Sequence, residues 1–323
     1  MIAEVFIVGL GQIGMGYDLH LDPASHVCTH ARAFSQHPKY RLIGGVEQAK
    51  DRRKAFELTY GCPAYDDVDV ALSHHQPDLV IIAVPTRFHA GILQRVLERS
   101  HPKMILCEKP LSYDLAEARS MVQACAKGGV PLYVNYMRRS NVGVIEIKRR
   151  MTFGEFGVPI KGVCWYSKGF LHNGSHFFNL LEYWLGPMKK SMVLNCGRIL
   201  DETDSEPDVQ VTFECGNVVF LAAREEEFSH CTIELLSPNG RLRYERGGEL
   251  IQWQSTQPAT QAHGYTVLSD RPEIINSDMN RYQWYVAEEL AKILGGQDAQ
   301  LCSGGDALHT LESMKHALER TGI

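Results

Sequence analysis

Apolar residues follow two kinds of pattern along this chain, and the change between them divides it. In the first part, "EVFIVG", "RLIGGVE", "PDLVIIAVP", "PKMILCEKP" and "VPLYVNY" are short runs, apolar at nearly every position. A strand that is apolar on both faces is covered on both faces. Between these runs lie "THARAFSQH", "QAKDRRKAFELTYG", "HAGILQRVLERS" and "DLAEARSMVQACAKGG", which read as helices. Strand and helix in alternation predict βαβ units and a parallel sheet over residues 1–135.

Residues 136–323 read differently. "GVIEIKRRMTFG" predicts a helix and "IKGVCWYSKG" a strand. Then come "SMVLNCGRIL", "DVQVTFEC", "GNVVFLAAREEE", "CTIELLS", "GRLRYERGG" and "ELIQWQS", short runs with partial alternation, broken by Asn- and Gly-containing turns. That pattern predicts a sheet with antiparallel strands and one buried face. Two helices close the chain, "NRYQWYVAEELAKILGG" and "GGDALHTLESMKHALERTG", and are available to pack back on the first domain. "ATQAHGYTVLSDRPE" is expected to be a mobile loop.

A length of 323 residues agrees with two domains at ~100–200 residues each. The net charge of −5 gives no bulk attraction to nucleic acid or to an anionic membrane. The cluster "IKRRM" is a solvated helix face. The nine cysteines form no Cys-x-x-Cys pair, and several sit in apolar runs, which predicts reduced, buried thiols. No apolar stretch approaches the ~18 residues that span a bilayer, and "MIAEVFIVGLG" has no targeting signature. A cytoplasmic protein is expected.

"FIVGLGQIG" follows the first strand and carries Gly9, Gly11 and Gly14 in the spacing G-x-G-x-x-G, with Gln12 and Ile13 inside it. Gly9 would allow the tight turn, Gly11 the close approach of a pyrophosphate, and Gly14 close helix–sheet packing. In this context the spacing predicts dinucleotide binding. Glu47 ends the second strand and would hold the adenosine ribose hydroxyls. Its charge favours NAD, and nearby Arg52 and Arg53 keep NADP open. The extra separation comes from an insert, "MGYDLHLDPASHVC", whose Asp18, His20, Asp22 and His26 fit no metal-ligand spacing. We read the insert as a polar lid and expect no metal.

The stretch from "PDLVIIAVPTRFHAGIL" to "MILCEKPLSYDLAEA" joins a proline-ended third strand, a histidine four residues beyond it, and Glu-Lys-Pro after the fourth strand. Downstream, "FLHNGSHFFNLLEYWLG" sets His172 and His176 four apart, ahead of an apolar face of Phe177, Leu180, Leu181 and Trp184. Alone, the two rings read as metal ligands, core residues or an acid–base pair. Together these features resemble the glucose–fructose oxidoreductase / inositol dehydrogenase / MocA family, across essentially the whole chain. The resemblance implies an α/β fold: an N-terminal Rossmann domain, then an α+β domain with a large open, mostly antiparallel sheet. It implies NAD(P)-dependent hydride exchange at a hydroxyl-bearing carbon of a sugar, sugar nucleotide or cyclitol, and a homodimer or homotetramer assembled through the open sheet.

Lys109 stands at the C-terminal end of a parallel strand, where open α/β sheets bind ligands, and its ammonium suits a developing alkoxide. Pro110 would force the extended turn that presents it, and the resemblance implies a cis bond there. In the family's Asp-x-Gly-x-His motif, His176 takes the place of the general acid–base. The aspartate falls on His172, a departure, so that His172 tunes His176, contacts substrate or takes the proton itself. The resemblance places the cofactor at Pro85, Thr86 and His89, beside Glu108 and Lys109. By position, Asn135, Arg138, Arg139 and Lys168 join Lys109, His172, Asn173 and His176 as substrate contacts, and an arginine suits a phosphate or carboxylate. Asn173 is also a natural N-cap for the motif helix. Sugar modification in surface-polysaccharide pathways is one context the resemblance suggests. Two alternatives stay open: an epimerase, eliminase or glycosidase with tightly bound, recycled NAD, and a non-catalytic dinucleotide or sugar sensor.

Overall fold

The computed structural model describes residues 2–224, 226–260 and 264–319. The chain divides into two compact units. One holds the residues up to Ser140 together with Asn280–His309, and the other holds Asn141–Met279 with the chain from Thr310.

In chain order the first unit runs β1 (Ala3–Val8), α1 (His30–Gln36), β2 (Tyr40–Val46), α2 (Lys50–Tyr60), β3 (Ala64–Tyr65), α3 (Val68–His74), β4 (Leu79–Ile82), α4 (His89–Arg99), β5 (Met104–Cys107), α5 (Leu115–Gly128) and β6 (Leu132–Val134). The second unit follows with α6 (Val142–Thr152), β7 (Ile160–Tyr166), α7 (Ser175–Leu185), β8 (Met188–Ile199), β9 (Ser205–Phe213), β10 (Gly216–Ala222), β11 (Thr232–Ser237), β12 (Gly240–Glu245), β13 (Leu250–Pro258), β14 (Thr266–Leu268) and β15 (Glu273–Ile275). The chain ends with α8 (Tyr282–Leu294), β16 (Cys302–Ser303) and α9 (Gly304–Leu318).

The first sheet has the order β16-β6-β5-β4-β1-β2-β3, parallel throughout except where β16 meets β6. Every residue of β4 and β5 is buried, as their unbroken apolarity predicts. β1 lies between β2 and β4, so the connections leave it in opposite directions. At such a switch point the loops beyond the strand ends part and leave a crevice. The sequence pattern passed over β3 and α3. Two residues are too few for a periodicity, and α3 has seven; its signal was the N-cap Asp67, which accepts from the N–H groups of Asp69 and Val70.

The second unit is a nine-stranded sheet, β14-β13-β12-β11-β7-β10-β9-β8, with β15 also on β13. Its pairings are antiparallel except for β7 with β10. Buried positions alternate along β9 and β12, bringing Val209, Val211, Phe213, Leu242 and Tyr244 to one face. α7 is buried almost all round, including the expected apolar face of Phe177, Leu180, Leu181 and Trp184. The stretch expected as one mobile loop is partly ordered pairing: Thr266–Leu268 joins Thr256–Pro258 and Glu273–Ile275 joins Ile251–Trp253. Residues 261–263 of that stretch lie outside the described residues. Among the described residues no helix is long and apolar enough to cross a membrane.

Candidate active site

The turn after β1 is built by its glycines, each for a different reason. Gly9 has φ +106°, and a Cβ there would lie 2.5 Å from the Ala83 carbonyl oxygen. A Cβ on Gly14 would collide with the Gly9 carbonyl. Gly11 differs: the nearest atom to its Cβ position, Arg52 Nη1, is 3.9 Å away. Gln12–Gly16 then forms one π-helical turn. The first N–H groups of a helical turn have no partner one turn back and carry partial positive charge. Gly9, Gly11, Gln12 and Ile13 line a cavity of about 870 Å³ that also takes in Glu47 and Pro85.

Glu47 follows β2 at the rim of this cavity. Its Oε2 accepts from the Leu10 N–H at 3.2 Å and its Oε1 from the Ala49 N–H at 3.0 Å. Arg52 Nη1 lies 3.6 Å from Oε2. The carboxylate is thus held by backbone, with one guanidinium beside it. Clearance above Gly11 and a fixed acid on the rim fit a dinucleotide.

Thr86 opens a short 3₁₀ turn beyond β4, next to the cavity-lining Pro85. His89 does not present its ring to a ligand. It is fully buried, with its nitrogens 3.1 Å and 2.9 Å from the carbonyl oxygens of Leu111 and Val84. Burial holds its pKa below the ordinary value, against the pull of those carbonyls. His89 ties the loop after β4 to the loop after β5.

Lys109 is half-buried beyond β5, and the Lys109–Pro110 bond is cis. Before it, the Glu108 carboxylate is turned inward. Its Oε1 accepts from His30 Nε2 at 2.8 Å and from Asn135 Nδ2 at 2.6 Å. Burial would raise the Glu108 pKa, but these hydrogen bonds and the charges of His30 and Lys109 hold it below its ordinary value. Asn135, expected at the substrate, is 3% exposed and spends its amide N–H on Glu108. His30 was missed: in the sequence it reads only as part of a helix.

Arg138 and Arg139 are both buried in the Met137–Ser140 turn. Arg139 Nη1 lies 3.3 Å from Asp306 Oδ2, so this arginine is engaged in an ion pair. The insert corrects the lid expectation at Asp18, which is fully buried and accepts from the backbone N–H groups of Cys28 and Thr29. Among the described residues, no group of three or more His, Cys, Asp or Glu could hold a metal ion.

In the second unit, β7 leads through Lys168 and Gly169, with φ +66° and +84°, into a π-helical segment, Gly169–Gly174, continuous with α7. Because the chain is already helical at 169, Asn173 is not the N-cap: it lies inside the turn, and its Nδ2 donates to the Ser167 carbonyl at 2.9 Å. Two carboxylates cap the turn instead. Asp204 accepts from the N–H groups of Leu171 (2.9 Å) and His172 (2.8 Å), and Glu206 from that of Gly169 (3.1 Å). Burial raises the Asp204 pKa above its ordinary value despite those donors. The two histidines differ in exposure: His172, in the turn, is exposed, and His176, in α7, is buried. Lys168 is exposed.

Residues 4–136 match the model of an oxidoreductase family with an NAD-binding Rossmann fold. An uncharacterized oxidoreductase of Bacillus subtilis, YrbE, is 30% identical over 94% of this chain and 89% of its own length. The NAD(+)-dependent scyllo-inositol 2-dehydrogenase of the same organism is 32% identical over 60% of this chain and 57% of its own. Among solved structures, the WlbA dehydrogenase from Bordetella pertussis, in complex with NADH and UDP-GlcNAcA, superposes with a TM-score of 0.74 at 17% identity, over 99% of this chain and 97% of that one.

Proposed function

Since the chain belongs to the glucose–fructose oxidoreductase / inositol dehydrogenase / MocA family of NAD-binding oxidoreductases, we propose that it oxidises a secondary hydroxyl of a sugar, sugar nucleotide or cyclitol and prefers NAD to NADP. The carrying observation is the Gly9–Gly14 turn opening on a cavity of about 870 Å³ with the Glu47 carboxylate held on its rim. NAD, when bound, supplies the hydride acceptor.

The rest falls to the chain's own residues. The first N–H groups of the turn at Gly11, Gln12 and Ile13 hold the pyrophosphate. Glu47 accepts from the ribose hydroxyls and repels a 2′-phosphate. The Lys109 ammonium holds the carbinol oxygen and offsets the negative charge that grows on it. A ring nitrogen of His176 takes the hydroxyl proton and returns it in the reverse direction. The burial of His176 and the exposure of His172 support His176 as the residue that exchanges this proton. The apolar residues Trp165, Leu236 and Ile274 on the outer face of the second sheet support a homo-oligomer formed there.

The test is a panel of sugar nucleotides, free sugars and inositols with NAD and NADP in parallel, followed at 340 nm. NADH formation that Lys109→Ala and His176→Ala each reduce by about 10²-fold or more supports the reading. Substrate conversion without net NADH would replace it with recycled-cofactor chemistry. Ligand binding without turnover of any substrate by the wild-type chain would leave only a sensor, and full activity in both variants would remove Lys109 and His176 from the chemistry.

A further inference from the structure

The Glu108 carboxylate does more than fill its site. Oε1 takes two donors, His30 Nε2 and Asn135 Nδ2, while Oε2 accepts from the backbone N–H of Lys109 at 3.3 Å. Glu108 therefore fixes the peptide from which the Lys109 side chain departs. A buried carboxylate keeps one orientation only while its donors hold it, and losing a donor leaves charge uncompensated.

His30 is itself held from outside this network. It is the first residue of α1 and fully buried. Immediately before it, Thr29 donates its N–H (2.9 Å) and its hydroxyl (2.7 Å) to the fully buried Asp18, and the Cys28 N–H does the same at 2.6 Å. Arg32 Nε lies 3.6 Å from the same carboxylate. The detour after the glycine turn thus closes on Asp18, and its closure sets where α1 begins and where the His30 ring lies. The charged and titratable groups that face Glu108 are His30 from α1, Cys107 on β5, Lys109 itself, His89 from α4 and Tyr282 from α8.

We infer that His30 is a positioning residue for Lys109, acting through Glu108, and that the 15–29 detour serves to deliver it. The inference rests on the proposed role of Lys109 at the substrate oxygen. Three substitutions separate the donor from the ring. His30→Gln keeps an N–H that reaches Glu108. His30→Asn keeps a polar group too short to reach. His30→Leu removes the donor.

Two readouts are taken on the full chain. In amide hydrogen exchange, the Lys109 N–H is expected to exchange about tenfold faster in His30→Asn and His30→Leu, and at the wild-type rate in His30→Gln. In turnover, kcat is expected to fall about tenfold or more in the first two, with recovery to within about threefold in His30→Gln and NADH affinity, read by fluorescence, within about threefold throughout. If His30→Leu does not fold, His30→Asn carries the test. Wild-type exchange and kcat in His30→Asn, with Lys109→Ala inactive, overturn the inference and leave the proposed function standing. Full activity in Lys109→Ala overturns the proposed function. In that case the exchange data alone still report whether His30 holds the Lys109 peptide, and unchanged exchange overturns that too.

Discussion

Two turns in this molecule are built alike and used differently. After β1, Gly9 at positive φ leads into the π-helical turn Gln12–Gly16; after β7, Gly169 at positive φ leads into the π-helical segment Gly169–Gly174. Both begin a helical turn beyond a strand end, whose first N–H groups have no partner one turn back. In the first unit those groups border a cavity of about 870 Å³ with room above Gly11. In the second, the chain supplies its own anions: Asp204 and Glu206 accept from Gly169, Leu171 and His172. A Cβ on Gly169 would strike the Asp204 carboxylate, so glycine there makes room for the chain's own acid. Glycine and a free helix start do not by themselves make a phosphate site. What decides is whether the protein has already filled it.

The largest effect should come from breaking the open turn. In Gly14→Ala the new Cβ meets the Gly9 carbonyl, which is backbone and cannot swing aside. We expect a loss of about 3 kcal/mol or more in urea denaturation and no measurable NADH binding. Gly11→Ala is the control. With 3.9 Å to the nearest atom, it should fold within about 1 kcal/mol of wild type while its methyl blocks the pyrophosphate and weakens NADH binding tenfold or more. Similar NADH affinity in wild type and Gly11→Ala would show that the turn does not hold the cofactor.

The same contrast explains what could be read from the chain. The first turn was legible because its determinants are local: three glycines, a preceding strand and an acid at the next strand end. The parallel strands were legible because burial on both faces leaves unbroken apolar runs. The second turn was half legible. Its histidines could be seen, but its caps lie more than 30 residues downstream in "DETDSEPD", where acids look like an ordinary polar loop. Asn173 has the right residue type for a cap, but the helix begins before it. His30 sat in view inside the helix that "THARAFSQH" predicts. Its partner Glu108 is 78 residues away, a pairing no local pattern encodes.

Emptying the filled turn is the next largest perturbation. Asp204→Ala removes the acceptor of two turn N–H groups and should cost about 2 kcal/mol. If the two turns are alike apart from their occupants, this variant should gain an anion site. Sulfate at millimolar concentration should then raise its melting temperature more than that of wild type. An equal sulfate response would mean that the second turn is shut by packing and not by charge.

A smaller effect tests the rim of the open turn. Glu47→Ser keeps a short polar side chain and removes the charge that faces a 2′-phosphate, while Arg52 stays. The ratio of NADP to NAD affinity should rise about tenfold, or about 1.4 kcal/mol. No change in that ratio would assign cofactor choice to other residues of the cavity.

The smallest effect is a slope with pH, and it sets the buried carboxylates of the two units against each other. Glu108 has a histidine and a lysine beside it and sits below its ordinary value of 4.5. Asp204 is held by backbone N–H donors with the Asp201 carboxylate nearby, and burial lifts it above its ordinary value of 3.8. A lowered folded pKa gives stability that is present above the unfolded value and lost as pH falls through the folded one. A raised one gives stability that is present below the unfolded value and lost as pH rises through the folded one. Urea denaturation between pH 7 and pH 3, with Glu108→Gln and Asp204→Asn, isolates the two terms. The gap between wild type and Glu108→Gln should narrow as pH drops below 4.5. The gap between wild type and Asp204→Asn should widen on the way down to 3.8. Slopes of the same sign would mean that the donors around Asp204 outweigh its burial. Its ionised form would then be a cap as favourable as a bound anion.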